Sequence, residues 1–161
     1  MASPPVEPVV VAEIRPGVRC TILGTDGPDL LRGTEGDDVI CALGGDDRVV
    51  ALGGDDEVHG GFGNDRIDGA DGVDALHGGR GSDIVVGGPG DDRVDGGPGS
   101  DLVDGEDGAD VAHAGRGFDA CVRTEDGVAG NDLAHGGRGT DVGEVDAGDV
   151  SVALETTTGC R

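Results

Sequence analysis

Thirteen aspartates recur at nine-residue intervals: Asp29, Asp38, Asp47, Asp56, Asp65, Asp74, Asp83, Asp92, Asp101, Asp110 and Asp119 without a slip, then Asp132 and Asp141 after a four-residue break. Two residues before each stands a glycine: Gly27, Gly36, Gly45, Gly54, Gly63, Gly72, Gly81, Gly90, Gly99, Gly108, Gly117, Gly130 and Gly139. A carboxylate offers hard anionic oxygen, and a glycine, lacking a Cβ, lets neighbouring backbone carbonyls turn towards one point. Carboxylate and carbonyl oxygens together suit calcium, which takes about six to eight oxygens in flexible geometry, whereas zinc asks for His or Cys.

These residues belong to a longer unit. From Gly24 the chain divides into nonapeptides such as GTDGPDLLR (24–32), GGFGNDRID (60–68) and GGPGDDRVD (87–95). Eleven units run to Val122, Arg123 to Asp126 interrupt the phase, and two more units fill Gly127 to Glu144. Glycine at positions 1, 2 and 4 is expected to supply positive φ. Positions 7 to 9 alternate outward, inward, outward as a short strand does, which leaves position 8 as the core side chain of each unit. That position reads Leu31, Ile40, Val49, Val58, Ile67, Leu76, Val85, Val94 and Val103, then Ala112, Cys121, Ala134 and Gly143, so the inward volume shrinks towards the C-terminus. One aliphatic side chain cannot offset the entropy of ordering nine glycine-rich residues. Metal binding must make up the difference, so folding and calcium binding are expected to be one event.

The unit resembles the GGxGxDxUx nonapeptide of the RTX (haemolysin-type) calcium-binding family, where U is a large aliphatic residue. The resemblance implies an all-β fold, a right-handed parallel β-roll (β-solenoid) with short terminal caps, in which two successive repeats make one coil. Repeat n would then share an ion with repeat n+2 through the position-6 aspartates of both and nearby loop carbonyls, the position-4 glycines among the site residues. Eleven uninterrupted repeats imply nine sandwiched ions and the last two repeats one or two more, about nine to eleven calcium ions. Residues 1–23 are expected to form a Pro-rich tail and cap, 24–144 the calcium-binding roll with its insertion at 123–126, and 145–161 a C-terminal cap. The apolar runs Val9–Ile14 and Val150–Leu154 are the capping candidates, since an open solenoid end exposes apolar cross-section and unpaired strand edges. Loop position 5, often Asp or Asn in this family, is Pro28, Val73, Ala109 and Phe118 in four units, where supplementary side-chain ligation is not expected.

Composition narrows the function. A formal charge of −23 with no lysine excludes a nucleic-acid partner, which needs clustered cations, and favours cations as ligands. Two Phe, no Trp and no Tyr exclude an aromatic core, and no stretch is long and apolar enough to span a membrane. Flanks of 23 and 17 residues are too short for a catalytic domain, so no enzyme is expected. Position 3 of the units is too irregular for a flat ice-binding array. The alternative to a calcium-folded secreted repeat protein is a calcium-stiffened adhesion or spacer module. A monomer is expected.

Four cysteines allow three connectivities. In the repeat phase Cys20 falls about two units before Cys41, and Cys121 takes the inward position of the last uninterrupted unit, so Cys20–Cys41 and Cys121–Cys160 are expected to clip the two ends. RTX-like proteins commonly leave the cell by a dedicated exporter in a cysteine-poor form. The cysteines here depart from that pattern and favour Sec-type export into an oxidising, extracellular setting. No cationic, apolar leader precedes Ala2-Ser3-Pro4-Pro5, as expected of a mature secreted chain. Arg48, Arg66 and Arg93 at position 7 read as solvated outward residues, and Phe62 and Phe118 as surface loop residues. His59, His77, His113 and His135 all occupy position 9 of even-numbered repeats. With Asp95 they form one outward column if alternate repeats build opposite sheets. The column is expected to be exposed, with Asp95 favouring the imidazolium form, and to be at most a weak secondary metal site.

The shrinking position 8 predicts that, in the calcium-loaded protein, hydrogen exchange is slowest in the N-terminal and middle coils and fastest in the coils after Val103. Uniform protection from Gly24 to Glu144 would contradict that gradient.

Overall fold

A computed structural model of the chain describes residues 13–15, 18–119, 122–124, 133–139, 143–145 and 150–152, with side chains in 18–119 and 133–139. Among the described residues there are strands and turns and no helix. Odd-numbered repeats supply a seven-stranded sheet, in spatial order Leu30–Arg32, Arg48–Gly53, Arg66–Asp71, Ile84–Val86, Leu102–Asp104, Val122–Thr124 and Gly143–Val145. Even-numbered repeats, with one segment before and one after them, supply an eight-stranded sheet. Its strands are Ile22–Leu23, Val39–Cys41, Glu57–Phe62, Ala75–Arg80, Arg93–Gly99, Val111–Gly117, Leu133–Gly139 and Val150–Val152. Each strand pairs in parallel with the strand two repeats away, as in Arg66↔Ile84 and Glu57↔Ala75. The chain therefore crosses from one sheet to the other at every repeat, and the fold is the parallel β-roll expected from the nonapeptide.

The core lies between the sheets and is built from position 8. Ile40, Val49, Val58, Ile67, Leu76, Val85, Val94, Val103, Ala112 and Ala134 are all fully buried, and the methyls of Ala42, Ala51 and Ala114 at position 1 fill the edge of the same cluster. Flanking residues alternate outward, so Arg48, Arg66 and Arg93 are exposed, as are Phe62 and Phe118. Several strands, Glu57–Phe62 and Ala75–Arg80 in the even sheet and Arg48–Gly53 and Arg66–Asp71 in the odd one, run on past position 9 through position 3 of the next repeat, twice the expected three residues; in the even sheet Gly61 pairs with Gly79 and Phe62 with Arg80.

The phase break is absorbed unevenly. In the even sheet Val111 pairs with Leu133, so repeat 10 stacks on repeat 12 with the column intact. In the odd sheet Val103 pairs with Val122. Cys121, expected at the inward position, lies outside the described residues. Val150–Val152 adds a strand to the even sheet, and Glu13–Arg15 pairs antiparallel with Val18–Arg19 as a separate two-stranded element before the first coil. The rest of both capping runs lies outside the described residues.

Among the described residues positive φ falls at positions 2 and 4. Gly63 (φ 124°) and Gly81 (φ 139°) show why position 4 excludes side chains, since a Cβ at either would overlap the carbonyl oxygen of the position-4 glycine two repeats earlier. At position 2, Leu43 (φ 78°), Leu52 (φ 92°), Ala70 (φ 69°) and Glu106 (φ 67°) are held left-handed. Position-1 glycines are not, which corrects the expectation for that position: at Gly33 and Gly60 a Cβ would overlap the carbonyl oxygen two repeats ahead, whereas Ala42, Ala51 and Ala114 are accommodated. An L-residue in the left-handed region costs about 1–2 kcal/mol. Ala70→Gly is therefore expected to stabilise the loaded roll by up to about 1 kcal/mol after the added chain entropy of glycine, whereas Gly63→Ala prevents its coil from closing. Denaturant unfolding in saturating calcium measures both.

Candidate metal-binding loops

The turns that cross between the sheets bring the position-6 aspartates into two stacked rows. Asp38, Asp47, Asp56, Asp65, Asp74, Asp83, Asp92, Asp101, Asp110 and Asp119 are all buried, and Asp29, at the first coil, is half-buried. Their Oδ1 atoms form a ladder along each row. Asp65 Oδ1 accepts the Asp47 N–H at 2.9 Å, Asp83 Oδ1 the Asp65 N–H at 2.8 Å and Asp101 Oδ1 the Asp83 N–H at 2.8 Å. From Asp47 onwards each carboxylate thus points back to the repeat two before it.

The second carboxylate oxygen separates the first two repeats from the rest. Thr25 donates its N–H (2.6 Å) and hydroxyl (2.9 Å) to Asp29 Oδ2, and Thr34 does the same for Asp38 Oδ2 at 2.7 and 2.9 Å. From the third repeat onwards position 2 carries no hydroxyl. There the Oδ2 atoms of Asp47, Asp56, Asp65, Asp74, Asp83, Asp92 and Asp101 are buried with no hydrogen-bond partner. A buried anionic oxygen without a donor is strongly disfavoured unless a cation meets it.

What borders those oxygens is more oxygen. A Cβ built on Gly78 would lie 2.7 Å from Asp83 Oδ2 and 2.8 Å from the Gly96 carbonyl oxygen, so both face one small volume that the glycine leaves open. Gly96 repeats this with Asp101 Oδ2 at 2.9 Å and the Ala114 carbonyl at 2.7 Å. On the other side, a Cβ on Gly99 would lie 2.9 Å from Asp101 Oδ1 and overlap the Gly81 carbonyl oxygen. Position-1 carbonyls thus join the position-4 carbonyls expected from the sequence. They were legible only as glycine at position 1, whose role is close approach. Among the described residues no three His, Cys, Asp or Glu side chains converge on one point, so a cation here takes most of its ligands from the backbone. An all-oxygen donor set of carbonyls and carboxylate fits calcium.

Position-5 side chains have a different role from ligation. Asp37 Oδ1 accepts the Asp55 N–H at 3.0 Å, Asp46 Oδ1 the Asn64 N–H at 2.8 Å, Asn64 Oδ1 the Ser82 N–H at 2.8 Å and Asp91 Oδ1 the Ala109 N–H at 3.0 Å. They reach forward two repeats, opposite in sense to the position-6 ladder, and tie the solvent side of each loop. Asp132, Asp141 and Gly130 lie outside the described residues. Cys20 and Cys41 form the expected disulfide, with Cα atoms 5.8 Å apart; the Cys121–Cys160 pairing also falls outside the described residues.

The histidine column is where the phase placed it, on the outer face of the even sheet, with His59 beside His77, Asp95 next, then His113 and His135. Two expectations for it are corrected. The side chain of His59 is only 16% exposed and that of His77 36%. Burial, then the neighbouring His59, lowers the His77 pKa and outweighs the opposing pull of Asp95. The imidazole, not the imidazolium, is favoured.

The RTX calcium-binding nonapeptide repeat model matches the chain over residues 21–49, 50–85 and 86–120. The chain belongs to that family, and calcium binding is the property these repeats carry. No curated protein and no solved structure matches it. Among the described residues no helix is long and apolar enough to cross a membrane.

Burial raises the pKa values of Asp47, Asp56, Asp65, Asp74, Asp83, Asp92 and Asp101. It carries Asp65 and Asp74 to about 6 and Asp92 and Asp101 to about 7, with neighbouring aspartates of the row adding to the rise and the backbone hydrogen bond onto each carboxylate opposing it. A folded-state pKa above the ordinary 3.8 means that burial of these groups is tolerated below that value and increasingly disfavoured as pH climbs towards 7. In chelator, strand content is therefore expected to be highest near pH 4 and to fall towards pH 7.5. In calcium the trend reverses, since protons compete with the metal. Far-UV circular dichroism against pH in both conditions checks this; metal-free strand content rising with pH would contradict it.

Proposed function

We propose that the chain is a secreted module whose roll folds when calcium enters the stacked loops. The observation that carries this reading is the row of buried Oδ2 atoms without donors, bordered by carbonyl oxygens. In this reading the ligands are the position-6 aspartates Asp29 to Asp119 with Asp132 and Asp141, together with loop carbonyls centred on the position-4 glycines. About nine to eleven ions are held, each between repeats n and n+2. Calcium compensates a charge of −23 that otherwise expands the chain. Extracellular calcium and the Cys20–Cys41 disulfide support function outside the cell. The roll works as a monomer with a binding and structural role and no catalytic one, with 1–23 and 145–161 closing its ends.

The test is a calcium titration from excess chelator at neutral pH, followed by circular dichroism and hydrodynamic radius. The chain is expected to be largely unfolded without metal and to compact cooperatively at roughly 10⁻⁴–10⁻³ M calcium. Asp65→Asn with Asp83→Asn should raise the midpoint several-fold, because two stacked carboxylates lose their charge while keeping the Oδ1 ladder. A full strand signature in chelator, or an unchanged midpoint in the double variant, would overturn the reading.

A further inference from the structure

The first two loops are built differently from those that follow. Position 2 is Thr25 in the first repeat and Thr34 in the second, and neither is left-handed, whereas position 2 of each of the next nine repeats, from Leu43 to Gly115, is. Besides donating to Asp29 Oδ2, the Thr25 hydroxyl accepts the Gly27 N–H at 3.2 Å, and the Thr34 hydroxyl, donating to Asp38 Oδ2, accepts the Gly36 N–H at 3.3 Å. Each threonine thus joins the aspartate to the glycine of its own loop. Position 4 changes with it: Gly27 and Gly36 are not left-handed, and a Cβ on Gly36 would meet nothing within 4 Å. Asp38 is answered on its other oxygen too, since the Thr21 hydroxyl donates to Oδ1 at 2.9 Å and accepts the Val39 N–H at 2.9 Å.

Donors from the chain therefore stand where, from Asp47 to Asp101, the second oxygen has none. A carboxylate held by its own N–H and O–H donors can be buried without a cation. The same coil is closed covalently, because the Cys20–Cys41 disulfide joins residues 21 apart in the chain and limits the freedom of the unfolded state before any ion arrives. It also presents an edge in register for growth. The Thr25 carbonyl accepts the Gly44 N–H at 3.1 Å and the Thr34 carbonyl the Gly53 N–H at 3.3 Å, the contact that the Leu43 carbonyl makes with the Phe62 N–H one coil further on.

We propose that the first coil, from Cys20 to Cys41, is a metal-independent template on which the calcium-dependent coils build, with Thr25 and Thr34 standing in for the ion. This rests on the calcium-folded roll proposed above and adds a direction to it. Without calcium the first coil retains structure that the later coils lose, so assembly runs from the first repeat towards the last. An ion entering beside Asp29 or Asp38 must displace a threonine, so those two interfaces fill after the others.

The experiment is amide hydrogen exchange of the oxidised full chain, first in excess chelator at neutral pH and then along a calcium titration. In chelator the Thr25 and Thr34 amides are expected to exchange about tenfold or more below the unstructured rate, the factor that one hydrogen bond to a charged group supplies, while the Arg66 and Ile84 amides exchange freely. Along the titration Arg66 and Ile84 should gain protection at lower calcium than moves the Thr25 and Thr34 resonances. Thr25→Val with Thr34→Val, which keeps the disulfide and the side-chain volume, should abolish the metal-free protection, and Thr25→Ser with Thr34→Ser should retain it. Gly36→Ala should fold with an unchanged calcium midpoint, in contrast to Gly63→Ala. Unprotected Thr25 and Thr34 amides in chelator, in a chain that still folds on calcium, would overturn the template and leave the calcium reading standing; a chain that ignores calcium would overturn both. Protection that survives in the valine pair would assign it to the disulfide alone and equally overturn the role of the threonines. The wild-type exchange decides the matter even if a variant fails to fold in calcium.

Discussion

A buried carboxylate must be answered by a donor or a cation, and the architecture of this roll follows from how each aspartate is answered. From Asp47 onwards one oxygen is met by the backbone N–H of the aspartate two repeats before it, which ties coil to coil. The other oxygen is met by Thr25 or Thr34 in the first two repeats, and from Asp47 to Asp101 it is buried without a donor. A cation is the partner such an oxygen calls for, and calcium binding is the property of the repeat family to which the chain belongs. The raised pKa values of Asp92 and Asp101 express the same fact from the proton's side: burial has made the negative charge costly in the absence of a cation.

That arrangement depends on a backbone that approaches itself very closely. In the inner coils position 4 needs glycine twice over, as at Gly63 and Gly81, for its left-handed φ and because the carbonyl of the repeat two before fills the space a Cβ would take. Position 2 shares the conformation and tolerates Leu43, Leu52, Ala70 and Glu106 at some strain. The hydrophobic contribution is thin by comparison, one aliphatic residue per repeat in a single file between the sheets. The roll is accordingly a stack of like layers, each leaning on its neighbours, and those with Ala112 or Ala134 inside bury the least apolar side chain.

The outer faces are chemically unlike the loops. Exact stacking of position 9 turns isolated histidines, spread over more than seventy residues, into two face-to-face pairs flanking Asp95. Periodicity therefore amplifies any residue that recurs at even repeats, and a column is the natural unit of surface chemistry on this fold.

Much of this was legible in the residues themselves. The nine-residue phase determined which aspartates line up, which side chains face inward and which histidines share a face, because in a stacked roll like positions superpose and a side chain's place follows from its index in the repeat. What the index could not reveal depended on distances across coils. The same Asp-Gly pattern covers Asp29 and Asp65, yet only the fold brings Thr25 onto the outer oxygen of the first and leaves that of the second without a donor. Glycine at position 1 looked like a conformational requirement and is a spatial one, set by a carbonyl eighteen residues away. The pairing of Val122 with Val103, and the burial that lowers the His77 pKa beside an acid, were decided by how strands register across coils and how side chains shield one another. Those are properties of packed neighbours, which a repeat index does not encode.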